Sequence, residues 1–453
     1  MDPETLLREL VRFKTVNNPI NDVYPDVRII KFIETLIKSW APEIQVKIFE
    51  QKGYSSLYLT KDLDTKCTIL FMGHLDVVPV TKGWVSDPFT LKVDSGLAFG
   101  RGAKDCKGSV VSALLMLQKL YKEQNEVVDQ LGFFFSTDEE TGGHHGAKIF
   151  FDFVKENKIL PNAVINVDGG PQVVHKRRAG FGVRIKLPPK QLKTTGKMCT
   201  QELKTRVIGD ETRHSAYFVQ GCDTHAVITL SKLLYLNQEW VISNIDGSWL
   251  KGNVIPDEII VEIVKQNESN SSNTKITYDE YLTSVLRRIK NIIHLDVKNK
   301  ISSDFGITVN PNLISYSQKD GTEIYFDVRA FLNSNDVNDL VNAFKSRLGD
   351  LNDVTTISCP GTTGYFYTPL NTPLVKVSSS VLTDFSLKSK PCEQEGASDA
   401  RYASIYGIPV IDLGPKGGRI HGNDEFIDLN SMNNFALIYE KIVKRLLNIK
   451  NKF

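Results

Sequence analysis

The sequence predicts an α/β protein in which an inserted α+β domain interrupts a domain built on a mainly parallel central sheet. Apolar runs of strand length alternate with stretches at helical spacing over the first 180 residues, which indicates strands joined by helices. A strand-like run returns at 408–414, whereas the segment from 181 to 360 mixes strand and helix patterns without this alternation. We therefore expect one domain at 1–180 and 361–453, with the insertion at 181–360.

The elements of the first 180 residues follow from local patterns. Residues 3–16 and 25–40 carry apolar positions at helical spacing. Three short apolar runs bounded by polar or glycine residues predict buried strands. These runs are CTILFMG ending at Gly73, LGFFFST ending at Thr137, and AVINVD ending at Asp168. Between the first two runs, residues 109–121 have the length and spacing of a helix that packs on the sheet.

The remaining elements divide between the insertion and the carboxyl-terminal part. The insertion mixes strand and helix patterns, which predicts an α+β domain. Its predicted elements are a strand at 181–189, a helix at 225–238, a strand at 323–332 and a following helix that ends at Leu348. After the insertion, IPVIDLG at 408–414 predicts a strand that rejoins the first sheet, and an amphipathic helix follows from about 431 to 447.

Composition and charge exclude several classes of protein. The 453 residues contain 55 Lys+Arg and 53 Asp+Glu, a net charge of +2 that argues against a dedicated nucleic-acid binder. No run approaches the ~18 apolar residues of a membrane span, and MDPETLLREL at the start lacks the pattern of a signal peptide. The six cysteines form no C-x-x-C pair, which disfavours a zinc ribbon or disulfide framework. We expect a cytoplasmic protein without nucleic-acid or membrane partners.

Histidines and carboxylates follow the predicted strands. GHLDVVP at 73–79 places His74 and Asp76 on one face of an extended chain, where the carboxylate can orient the imidazole. STDEETGG at 136–143 places three acids directly after another apolar run, and NVDGG places Asp168 after a third. Ligands bind at the carboxyl ends of strands in open parallel sheets. Each motif taken alone has an alternative interpretation. His74 could be hydrogen-bonded for a structural purpose, and the acids after the apolar runs could be solvated loop residues.

Two glycine-rich segments add further candidates. GRGAKDCKG at 100–108 carries Asp105 just before a predicted helix, and GGRIHGNDEF at 417–426 carries His421. A phosphate-binding loop is an alternative for the first segment, although its spacing matches neither common phosphate motif. Imidazoles and carboxylates delivered from several strand ends form a ligand set for two zinc ions, which a bridging carboxylate can hold about 3.5–4 Å apart.

The ordered motifs resemble a known family. GHLDVVP, GRGAKDCKG, DEETGG, EGASDARYA and HGNDEF are similar to motifs of the dinuclear zinc amidohydrolases that include aminoacylase, acetylornithine deacetylase, succinyl-diaminopimelate desuccinylase, carboxypeptidase G and carnosinase-type dipeptidases. GNVIPDE at 252–258 and DVRAF at 327–331 resemble the inserted domain of that family. The resemblance therefore spans nearly the whole chain. It implies a zinc-peptidase-like catalytic domain interrupted by a lid and dimerisation domain.

The resemblance implies a ligand set for two zinc ions. His74 and Glu140 are expected to bind one zinc each, with Asp105 bridging both. His421 and Asp168 are expected to complete the two coordination spheres. Cobalt or manganese are possible substitutes for zinc.

The resemblance also implies catalytic residues. Glu139 is expected to be the general base and Asp76 to orient His74. The peptide bond after Asp105 is expected to be cis. His214, in HSAYFVQG, is the candidate for polarising the scissile carbonyl, although Tyr217 and Phe218 stand where the family commonly has a proline.

Two further residues are expected to bind a substrate carboxylate. They are Arg401 in SDAR, through a bidentate pair, and Asn253 in GNVIP. The alternatives are an arginine that ties loops together and an asparagine that caps a turn.

We expect hydrolysis of an amide or peptide bond in a small substrate with a carboxylate, by a homodimer formed through the inserted domain. Asp168 and the length of the insertion favour a dipeptidase or carboxypeptidase. SDAR and GNVIP also resemble the N-acyl-amino-acid deacylases, which are the alternative. A non-catalytic zinc-binding module and a phosphate-binding nucleotide enzyme are remote alternatives.

Overall fold

The computed structural model describes residues 2–207, 215, 218–219, 221–266, 268, 274–394 and 396–449. These residues fall into two units. The interrupted unit comprises Met1–Arg177, Phe366–Gln394 and Ser398–Phe453, and the inserted unit comprises Arg178–Tyr365 and Glu395–Ala397. The role of the inserted unit as a lid or dimerisation domain stays a prediction.

The first part of the interrupted unit alternates helices and strands. Its helices are α1 (Pro3–Arg12), α2 (Arg28–Trp40), α3 (Gly108–Lys122) and α4 (Ala147–Glu156). Its strands are β1 (Gln45–Gln51), β2 (Tyr54–Thr60), β3 (Ile69–His74), β4 (Lys92–Asp94), β5 (Leu97–Phe99), β6 (Leu131–Ser136), β7 (Ala163–Asn166) and β8 (Val174–Arg177).

The inserted unit and the final part continue the chain. The inserted unit contains β9 (Ala179–Leu187), β10 (Gln191–Thr194), β11 (Lys197–Lys204), α5 (Ala226–Leu236), β12 (Trp240–Gly247), β13 (Glu258–Lys265), β14 (Ile276–Asp279), α6 (Glu280–Ile292), β15 (Thr308–Ser317), β16 (Gly321–Ala330), α7 (Val337–Leu348) and β17 (Thr356–Ser358). The final part contains β18 (Phe366–Tyr367), α8 (Pro373–Asp384), β19 (Cys392–Gln394), α9 (Arg401–Ser404), β20 (Val410–Asp412), β21 (Gly417–Gly418), β22 (Phe426–Asp428) and α10 (Leu429–Leu447).

A mainly parallel sheet forms the centre of the interrupted unit. Its strand order is β1-β2-β6-β3-β7-β20-β8-β18, and β19 pairs with β8. The central strand β3 is parallel to β6 and β7, and β20 is parallel to β7. Because β20 comes from the final part of the chain, the sheet joins both sides of the insertion. The predicted α/β fold class with a mainly parallel sheet is confirmed.

Side chains of the central strands alternate between two hydrophobic clusters. Phe71 of β3 belongs to the cluster that includes α3 and α10, whereas its neighbours Leu70 and Met72 belong to the cluster that includes α4. Phe134 of β6 stacks on Phe150 of α4, with ring centroids 4.3 Å apart. Both faces of these strands are therefore covered, which explains why their sequences are continuous apolar runs.

The first helix ends earlier than its pattern predicts. The apolar spacing predicts a helix over 3–16, but α1 stops at Arg12 and Phe13 is extended. The chain then pairs with the segment that follows β3, because Thr15 Oγ1 donates to the Leu75 carbonyl and Val16 forms a parallel bridge with Val77. These tertiary hydrogen bonds replace the last helical turn.

The inserted unit is built from antiparallel strands and helices. One sheet has the order β15-β16-β9-β17, and another has the order β11-β13-β12. Apolar residues of β9, β13 and β16 share one buried cluster with those of α5, α6 and α7. This is the α+β character that the sequence predicts. Among the described residues of both units, no helix has the length and apolarity that are needed to cross a membrane.

Candidate metal centre

The carboxyl ends of three parallel strands bring predicted site residues to one edge of the sheet. His74 is the last residue of β3, Glu139 and Glu140 follow β6, and Asp168 follows β7. The register places His74 opposite Ser136, the last residue of β6. Since β6, β3 and β7 run parallel side by side, the residues that follow them meet at the same edge.

Asp105 lies between two imidazoles at this edge. Its Oδ1 is 2.8 Å from His74 Nε2, and its Oδ2 is 3.0 Å from His421 Nε2. His421 Nε2 is also 3.2 Å from Glu140 Oε1, and His74 Nε2 is 4.0 Å from Asp168 Oδ1. The structure therefore brings together all five predicted ligands, in two groups that share Asp105.

The donor atoms of this cluster fit a divalent cation. One ligand atom each from His74, Asp105 and Glu140 lies within 4.8 Å of the others, and the same holds for His74, Cys106 and Asp168. Imidazole nitrogen and carboxylate oxygen are ligands that suit zinc and related metals. The described residues thus contain groups that could hold a metal ion.

Buried charges shift the pKa values of the cluster. Burial would raise the pKa of Asp105, but hydrogen bonds from His421 and His74 hold it well below its usual range. The neighbouring Glu140 carboxylate raises the pKa of His421 to about 12. Burial, with the nearby Asp399 carboxylate, raises the pKa of Glu139 well above its usual value. Metal binding at His421 is therefore expected to release a proton from its imidazole.

Asp76 contacts the predicted ligand His74 and the acidic turn after β6. His74 Nδ1 is 3.0 Å from the Asp76 carbonyl oxygen and 3.4 Å from Asp76 Oδ1. The Asp76 carboxylate also accepts hydrogen bonds from the backbone N–H groups of Glu139, at 3.2 Å, and Glu140, at 3.1 Å. This second contact is not evident in the sequence, because the acceptor and donors lie more than 60 residues apart.

The loop around Asp105 shows one feature that was predicted and one that was not. The peptide bond between Asp105 and Cys106 is cis, which confirms the expectation. Lys104 is buried, and its Nζ donates a 2.7 Å hydrogen bond to the carbonyl of Gly169. The segment that carries Asp105 is therefore tied to the segment that carries Asp168.

Arg401, Asn253 and His214, the remaining predicted site residues, differ in where they lie. Arg401 is buried, and its guanidinium donates to the carbonyls of Ser398 and Gly142, which fits the alternative of an arginine that ties two loops. Asn253 lies in the inserted unit, where its carbonyl accepts a hydrogen bond from Ser215 N–H. His214 lies outside the described residues. Substrate contacts of all three stay predictions.

Gly143→Ala is expected to disturb the acidic turn. A Cβ at Gly143 would overlap the Asp399 carboxylate, and the backbone φ of +63° disfavours any other residue. We expect the free energy of unfolding to fall by about 1–3 kcal/mol and hydrolytic activity to fall with it. Gly170→Ala is the matched control, because nothing lies within 4 Å of its added Cβ. Equal stability of the two variants in chemical denaturation would contradict this packing argument.

Known proteins resemble this chain in sequence and in fold. The peptidase family M20/M25/M40 matches residues 70–445. The succinyl-diaminopimelate desuccinylase of Buchnera aphidicola subsp. Baizongia pistaciae is 22% identical over 386 residues, which cover 84% of this chain and 83% of that protein. Aminoacylhistidine dipeptidase from Vibrio alginolyticus has a TM-score of 0.70 at 11% identity, with 98% of this chain and 96% of that chain covered.

A second solved structure has the same fold. An M20 family metallo-carboxypeptidase from Sulfolobus solfataricus has a TM-score of 0.59 at 14% identity, covering 98% of this chain and 99% of that one. The family match covers most of the chain, and its range includes all five predicted metal ligands. The chain therefore belongs to peptidase family M20/M25/M40, and the predictions of this family and of a hydrolase acting on C–N bonds are confirmed.

Proposed function

We propose that this chain hydrolyses an amide or peptide bond in a small carboxylate-bearing substrate, with two zinc ions bound at the Asp105 cluster. The observation that carries the proposal is the position of Asp105, whose two oxygens face two separate imidazoles at 2.8 and 3.0 Å. A single carboxylate placed in this way suits the bridging of two cations. Cobalt or manganese are proposed substitutes.

The proposed ligands divide into two sets. His74 and Asp168 would hold one cation, Glu140 and His421 would hold the other, and Asp105 would contact both. The 3.2 Å separation between His421 and Glu140 supports the second set. A bound pair of cations supplies Lewis acidity and makes a nearby water easier to deprotonate.

Glu139 is the proposed general base. Its backbone N–H and that of Glu140 donate to the same Asp76 carboxylate, so that a base and a ligand are fixed side by side in one turn. The Glu139 carboxylate would take a proton from the attacking water and later deliver it to the leaving amine. Polarisation of the carbonyl by His214, and binding of the substrate carboxylate by Arg401 and Asn253, complete the proposal.

Two substrate classes follow from this chemistry. We place dipeptides or carboxyl-terminal peptide bonds first, because Asp168 is an aspartate, as in the dipeptidase members that the sequence resembles. N-acyl amino acids are the second class, supported by relatives named succinyl-diaminopimelate desuccinylase. A homodimer formed through the inserted unit and a cytoplasmic location extend the proposal by resemblance, and mass measurement in solution tests the dimer.

Metal analysis and a substrate panel test the proposed function. The purified chain is expected to retain two equivalents of metal after dialysis and to release amine from dipeptides, N-acetyl amino acids or N-succinyl amino acids in the presence of zinc, cobalt or manganese. The most rapidly cleaved class distinguishes peptidase from deacylase. Two bound metals with no turnover on any class would favour a non-catalytic module instead.

A further inference from the structure

A buried ion pair joins two distant segments of the interrupted unit. Arg101 precedes the inserted unit and Glu425 follows it, yet Arg101 Nη1 lies 2.8 Å from Glu425 Oε2. Each side chain is 1% exposed. The pair therefore brings together the segment that carries Asp105 and the segment that carries His421.

The Glu425 carboxylate accepts hydrogen bonds along the loop that leads to Asp105. Its Oε2 accepts from the backbone N–H of Gly102, at 3.0 Å. Its Oε1 accepts from the N–H groups of Lys104, at 2.9 Å, and Asp105, at 3.0 Å. With the guanidinium of Arg101, four donors converge on one carboxylate, which fixes the backbone of Asp105.

Arg101 also contacts the other segment directly. Its Nη2 donates a 3.2 Å hydrogen bond to the carbonyl oxygen of His421 and lies 3.5 Å from the carbonyl oxygen of Pro79. One guanidinium therefore contacts both the carboxylate that fixes Asp105 and the backbone of the histidine that faces Asp105.

We propose that Arg101 and Glu425 are positioning residues that hold Asp105 and His421 at the spacing needed to share a cation. The inference rests on the metal centre proposed above, and the two residues act on the cation only through Asp105 and His421. A buried ion pair is often no more stabilising than well-packed apolar residues, so the positioning role is argued from the contacts that the pair makes to Asp105 and His421. Residues that support metal ligands in this way typically contribute 10–100-fold to metal affinity.

Two variants separate the two contacts. Glu425→Gln keeps the shape of the side chain but turns an amide NH2 group towards backbone donors, so the dissociation constants of both metals should rise by about 10–100-fold. Arg101→Lys keeps a cationic partner for Glu425 but removes the second guanidinium nitrogen, which donates to the His421 carbonyl. This variant should weaken the binding of one metal by at least about 10-fold, while the affinity for the other metal stays near that of the wild type.

The control is a buried ion pair elsewhere. Asp327 accepts a 3.0 Å hydrogen bond from Arg329, and the two side chains are 4% and 8% exposed in the inserted unit. Asp327→Asn removes a comparable buried charge without touching the proposed ligands, so it should leave metal affinity unchanged. Zinc affinity is measured by competition with a fluorescent chelator, and the melting temperature of each metal-free variant is measured in parallel.

The outcomes distinguish this inference from the proposed function. If the wild-type chain binds two zinc ions and both folded variants bind them with unchanged affinity, the positioning role is wrong and the proposed function survives. An equal loss in Asp327→Asn would also overturn it, since the effect would then be general destabilisation. If the wild-type chain binds fewer than two metals, the paired centre itself is contradicted. Should Glu425→Gln fail to fold, the loss of a single metal site in Arg101→Lys decides.

Discussion

Glu139→Gln is expected to abolish turnover while both metal ions remain bound. A positioned acid or base typically contributes about 10²–10⁴-fold to a rate, and here one carboxylate would serve both the attack of water and the departure of the amine. We therefore expect kcat to fall by about 10⁴-fold. The expected metal content is unchanged, because the proposed ligand in this turn is Glu140, which lies 3.2 Å from His421.

The two halves of this expectation need separate measurements. Metal equivalents are determined on the dialysed variant, and turnover is followed with the best substrate of the panel. Glu156→Gln, at the exposed end of α4, is the control and should retain full activity and metal. Activity of Glu139→Gln above a tenth of the wild type would exclude Glu139 as the base. Loss of metal would instead place it among the ligands.

Asp105→Asn is expected to remove both metals and all activity. Asp105 places one carboxylate oxygen beside each imidazole, so an amide nitrogen in place of one oxygen affects both proposed cation sites. Since changes to supporting residues already weaken metal binding by about 10–100-fold, we expect a loss greater than 100-fold. The backbone N–H of Asp105 keeps its acceptor in Glu425, so the metal-free variant should remain folded.

Zinc titration and thermal melting check this second expectation. Asp64→Asn, an exposed position before β3, is the control and should bind both metals as the wild type does. If Asp105→Asn retained one metal at full affinity, Asp105 would be an ordinary ligand of the other metal only. The bridging role would then be wrong, even if activity were lost.

Much of the site could be predicted because strand ends are visible in sequence. The apolar runs of β3 and β6 stop at His74 and just before Glu139, and the sheet brings these positions to one edge. His421 follows a short strand far along the chain, and its glycine-rich setting with the resemblance sufficed to place it in the set. These predictions rest on local sequence, namely the spacing within each apolar run and the residues that follow it.

Contacts made through backbone groups could not be predicted in the same way. Glu425 reaches Asp105 through a main-chain N–H, and Asp76 reaches the turn of Glu139 similarly. Every residue type except proline supplies such a donor, so no side-chain pattern marks the partner. The early end of α1 has the same origin, because Thr15 hydrogen-bonds to the Leu75 carbonyl rather than continuing the helix.

The insertion in the interrupted unit has a consequence for biosynthesis. His74 and Asp105 are translated before the inserted unit, whereas β20 and His421 are translated after it. A nascent chain that ends within the insertion lacks the strand that pairs with β7 and the imidazole that faces Asp105 Oδ2. Under the proposed ligand set, metal binding requires residues from both segments, so a ribosome-bound fragment becomes an active hydrolase only after both segments of the interrupted unit have been made.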